Sequence, residues 1–70
     1  MKLQIELTED HAAVVWAALQ FCCQQSAGRN KEIFLAALDA QDAFRVLPVE
    51  RREKAEVEIM RPLYALVRHP

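Results

Sequence analysis

Glycine occurs once in these 70 residues, serine once, cysteine twice and proline three times, and each scarcity removes a possibility. With Gly28 alone, no glycine-rich loop can cradle a phosphate. Cys22 and Cys23 are adjacent, and on a helix neighbouring side chains diverge by about 100°, so a bridge between them would break the helix. They read as small apolar groups in a reducing compartment. Charge of neither sign dominates: nine Lys and Arg against ten Asp and Glu leave −1, with no broad basic footprint for nucleic acid or anionic lipid. No apolar run reaches the ~18–20 residues of a membrane span. The opening MKLQIELTED lacks the unbroken apolar core of a secretory leader. The expectation is a cytoplasmic protein with no membrane partner.

Chemistry-bearing groups are equally sparse. His11 and Cys22 share a side of one helix but lie roughly 16 Å apart at 1.5 Å per residue, too far to bind one metal ion. His69 sits at the other end of the chain, and no CxxC or HExxH spacing occurs. Ser26 falls at a helix end with no His and acid nearby in sequence. The expectations are therefore no metal, no cofactor and no enzymatic activity.

What the chain does have is helix. Residues 8–25, TEDHAAVVWAALQFCCQQ, open on Thr8, whose hydroxyl can accept from a first-turn N–H, with Glu9 and Asp10 at the positive end of the dipole. Leu7 and Ala12 are spaced as a small hydrophobic staple. Ala12, Val15, Trp16, Leu19, Cys22 and Cys23 share one wide apolar face, and Val14, Ala17 and Phe21 form a second stripe behind it. Seventy residues make one domain of marginal size, with little material to cover both faces. The second stripe points to another chain, the alternative being that helices two and three cover both stripes unaided.

The rest of the sequence divides around this helix. In residues 2–7, Leu3, Ile5 and Leu7 alternate with Lys2, Gln4 and Glu6, the period of a half-buried strand. No second strand is evident, so the expected remedy is pairing with the same segment of a second copy. Gly28 suits a left-handed helix end, and Asn30 can cap a second helix over 31–46. Its inner face is expected to comprise Ile33, Ala36, Ala37, Ala40, Ala43, Phe44 and Leu47. Phe34 and Leu38 lie off that face as partner contacts. Pro48 closes this helix and opens a third over 49–61, supported by the pairs Glu50–Lys54, Arg52–Glu56 and Lys54–Glu58 and ended or kinked by Pro62. The alternation of Ala55, Val57 and Ile59 with Glu56 and Glu58 also permits a strand there. The expected fold is mainly α: an N-terminal β-strand, an antiparallel helical hairpin and a third C-terminal helix, dimeric. Its dimer interface would comprise Leu3, Ile5, Leu7, Val14, Ala17 and Phe21, and its partner-binding candidates are Phe34, Leu38, Arg52 and Tyr64.

Two resemblances bear on function. The segment GRNKEIF, residues 28–34, between two helices and after an alternating segment, resembles the ribbon-helix-helix repressors of the Arc and MetJ type. That likeness implies a dimeric DNA-binding regulator in which Lys2, Gln4 and Glu6 read bases while Arg29, Asn30 and the second helix's first amides hold the backbone. Glu6 and the net charge of −1 make it the second reading. Residues 5–38 resemble small proteins encoded by bacteriophages and prophages. The matching residues are Leu7, Thr8, Glu9, Ala18, Leu19, Gly28, Glu32 and Ile33. This likeness implies a small protein that binds and inhibits or modulates a host bacterial protein, such as a defence effector, a quorum-sensing regulator or a motility ATPase, inside an infected or lysogenic cell.

Overall fold

A computed structural model describes residues 1–68. Helix α1 spans Glu9–Ser26, α2 spans Lys31–Asp42, α3 spans Val49–Ala55, and α4 spans Arg61–Arg68. A π-helical segment, Glu56–Met60, joins α3 to α4, and the junction residues keep right-handed helical angles, so residues 49–68 form one continuous rod. The mainly α class holds. The N-terminal strand does not: no residue among those described is in a β-strand, and residues 1–7 run as an irregular arm. Alternation supplies a face but not a neighbour. A strand needs ladder partners, and among the described residues no backbone hydrogen bond ties residues 1–7 to the rest of the chain.

Local chemistry explains each boundary. Thr8 is extended, and its Oγ1 accepts from the His11 N–H at 3.1 Å. Helix α1 runs one residue past Gln25, because Ser26 stays helical and its Oγ donates to the Cys22 carbonyl at 2.6 Å. Gly28 then takes a φ of +73°, and the Arg29 and Asn30 N–H groups both donate to the Ser26 carbonyl. Asn30 caps α2, its Oδ1 accepting from the Ile33 N–H at 3.0 Å.

Helix α2 stops at Asp42, four residues short of Val46. From Ala43 onward the bonds tighten to a three-residue step, Ala43 to Ala40 at 3.2 Å, Phe44 to Gln41 at 2.9 Å and Arg45 to Asp42 at 3.2 Å. Pro48 disfavours a helical Leu47, and the tighter turn carries Leu47 into the core.

Pro62 neither ends nor sharply breaks the last helix. A proline ring inside an α-helix collides with the carbonyl four residues back. Here the preceding turn is widened, with the Arg61 N–H reaching the Glu56 carbonyl five residues back. The wider turn moves backbone out of the ring's way, and the rod runs on to Arg68.

The packing centres on α1, which lies against α2, α3 and the π segment. Ala13, Ala17, Leu47, Ala55 and Met60 form the core, with Ala12, Trp16, Ile59 and Tyr64 partly buried around it. Three alanines let α1 and the C-terminal rod approach closely. Facing α1, helix α2 buries Ala37 and half-buries Phe34 and Gln41, while Ile33, Ala36 and Ala40 remain exposed. Of the expected inner face, Ala37, Phe44 and Leu47 are inward, whereas Ile33, Ala36, Ala40 and Ala43 are not. Gln41 also turns inward, its Nε2 donating across to Gln20 Oε1 at 2.5 Å. No helix among the described residues is long and apolar enough to cross a membrane.

Candidate interaction surfaces

The second stripe of α1 is largely covered by the chain's own C-terminus. Ala17 is 0% exposed and belongs to the core, so it is unavailable to a dimer partner. Phe21 meets Tyr64 edge-on, ring centroids 5.0 Å apart at 64°, and the Tyr64 hydroxyl donates to Gln24 Oε1. Only Val14 of that stripe is still half exposed. The sequence pattern showed a stripe that needed cover. It did not show that residues past Pro62 continue as helix and supply that cover.

The four partner-binding candidates do not converge on one surface. Phe34 is half-buried on the inner side of α2, and Tyr64 is the latch just described. Arg52, on α3, is half-buried with its Nε buried and unpartnered. Leu38 is exposed on α2, one turn from the exposed Leu35. The DNA-contact candidates are also divided. Lys2 and Gln4 lie on the arm at the start of α1, whereas Arg29 and Asn30 lie beyond its end. The helix between them is about 27 Å long at 1.5 Å per residue. Asn30 already uses its side-chain oxygen as a cap.

The residues that do converge are Leu3, Ile5 and Leu7. Together with Ala12, Val15, Ala43, Phe44 and Val46 they line a groove of about 580 Å³ between the arm and the α1–α2 layer. Leu7 and Ala12, the predicted staple pair, both line this groove. Val46 is its missed member. Sequence pattern placed Val46 as the last residue of a helix, whereas the tightened turn after Asp42 presents it to solvent beside the arm.

Electrostatics is structural here. Arg51 of α3 reaches the first turn of α1, its Nη2 2.5 Å from Asp10 Oδ1 and its Nε 3.0 Å from Glu9 Oε1. The Nε contact is out of line for a hydrogen bond. None of the three expected charge pairs within 50–58 forms an ion pair among the described residues. Cys22 is exposed and Cys23 buried; burial first, and then the neighbouring Cys22, push the Cys23 thiol above its ordinary range. No three His, Cys, Asp or Glu side chains gather as a cation site among the described residues. His69, weighed as a ligand from sequence, lies outside the described residues.

No family model matches the chain, and no characterised protein or solved structure is significantly similar to it. The likeness to phage proteins therefore rests on the quoted residues alone.

Proposed function

We propose that the chain is a non-enzymatic binding module that acts by docking on, and so inhibiting or modulating, a host bacterial protein. The observation that carries this reading is the uncovered edge of α2. Leu35 is 51% exposed and Leu38 42% exposed, three residues apart on one side of a capped helix and flanked by Lys31 and Asp42. Apolar anchors at this spacing with a polar rim are what a hydrophobic groove on another protein receives. Tyr64 is excluded from that role by its place against Phe21 and Gln24.

The test is capture from a nuclease-treated bacterial lysate with the tagged chain and with its Leu38→Asp variant. A stoichiometric protein held by the wild type and lost with Leu38→Asp is the expected outcome. Recovery of nucleic acid alone in the untreated lysate, and of nothing after nuclease, would favour a DNA-binding regulator instead. Leu38→Asp would then leave salt-sensitive duplex binding intact while Arg29→Ala weakened it.

A further inference from the structure

We infer that the apolar groove beside the N-terminal arm is the two-fold interface of a homodimer, and that its occupant is the same arm and groove of a second copy. This is independent of the α2 docking edge, because the two surfaces share no residue.

Area is the first argument. A folded monomer of 8.0 kDa exposes about 4,450 Å² by the usual scaling with mass. This chain exposes 5735 Å², an excess of roughly 1,300 Å². A standard stable interface covers about 800 Å² on each partner, and obligate homodimers cover more. The excess therefore has the size of one protomer's share of a homodimer interface. Consistent with that deficit, no large side chain among the described residues is fully buried.

Place is the second argument. The arm's Leu3 and Ile5 are 76% and 74% exposed, and Val46 across the groove is 87% exposed. These residues already line one concave surface with Phe44. An isologous contact needs a patch complementary to itself, and a groove with one wall from the projecting arm and the other from the layer meets that need. Each copy's arm can enter its partner's groove while the partner's arm enters its own.

Charge is the third argument, and it selects a second copy over an unrelated partner. Lys2 and Glu6 alternate along the arm with Leu3 and Ile5 and are equally spaced about Gln4. A two-fold axis that crosses the arms at right angles near Gln4 runs them in opposite directions and sets Lys2 of one copy beside Glu6 of the other, twice over. The arm is thus complementary in charge to its own reversed copy.

Sedimentation equilibrium of the full chain from micromolar to millimolar concentration tests the inference. The expected species is about 16 kDa, twice the 8.0 kDa protomer. Ile5→Glu and Val46→Glu should each return it to a monomer with unchanged helical circular dichroism, since both side chains are exposed in the protomer. Lys2→Glu alone and Glu6→Lys alone should each weaken association by roughly tenfold, as expected for two attractive pairs turned repulsive. An equimolar mixture of these two variants should regain wild-type affinity as a heterodimer. A wild type that stays monomeric throughout would overturn the proposal. So would a dimer indifferent to Ile5→Glu and Val46→Glu, or a mixture no tighter than either charge variant alone. None of these outcomes bears on Leu38, so failure here leaves the α2 docking edge standing, and the converse also holds.

Discussion

At the scale of single residues, backbone conformation and burial make the sharpest statements. Gly28 sits at φ +73°, and a Cβ added there meets nothing within 4 Å. The cost of Gly28→Ala is therefore the left-handed backbone itself, about 1–2 kcal/mol, with no steric addition. Urea denaturation should show that loss, and Gly28→Asn should cost less because asparagine tolerates this region. The two cysteines differ just as plainly. With Cys22 exposed and Cys23 buried, iodoacetamide should modify one thiol in the folded chain and both in denaturant, read by intact mass. Cys23 keeps its proton to higher pH folded than unfolded. Its contribution to stability is thus complete below the unfolded thiol pKa and is lost as pH rises above it. A Cys23→Ala variant should flatten the alkaline fall in stability relative to the wild type. Both asymmetries follow from position on α1, which residue type alone does not give.

Among the elements, the C-terminal rod changes the account most. Sequence pattern was sufficient for the caps at Thr8 and Asn30, the left-handed turn at Gly28 and the start after Pro48, because each is a local event with a local residue signature. It was insufficient wherever tertiary geometry overrode a local rule. Pro62 reads as a kink or a stop, yet a π turn accommodates it and lets Tyr64 reach Phe21. Phe34 reads as off the inner face of α2, yet it is half-buried there. The alternating residues 2–7 read as a strand, yet alternation cannot provide the neighbour a ladder requires. The groove was half legible: Leu3, Ile5 and Leu7 carry the period, whereas Val46 joins them only because α2 ends early. If Tyr64 latches the rod, Tyr64→Ala should cost about 2 kcal/mol, combining the lost aromatic pair with lost burial. Tyr64→Phe, which keeps the ring and loses only a solvent-exposed hydrogen bond to Gln24, should cost at most about 1 kcal/mol. Thermal unfolding of the two variants side by side checks the order.

For the whole molecule, the defining property is a shortage of cover. Extents of 36 × 28 × 18 Å describe a flattened body, with α1 in the middle and apolar side chains left on several outer surfaces. The core is made of alanines with Leu47 and Met60, which permits close helix packing but buries little apolar surface per residue. A domain of this size has only a few kcal/mol of margin. Covering the arm groove by a second copy, and the α2 edge by a different protein, accounts for part of that surface, while Val49, Val57, Leu66 and Val67 on the C-terminal rod lie outside both. The measurement that tests this most directly is native mass spectrometry of the tagged chain recovered from nuclease-treated bacterial lysate. The account predicts an assembly holding two copies of the chain together with a second, larger protein. A lone 8.0 kDa chain, with neither a second copy nor a partner, would contradict it.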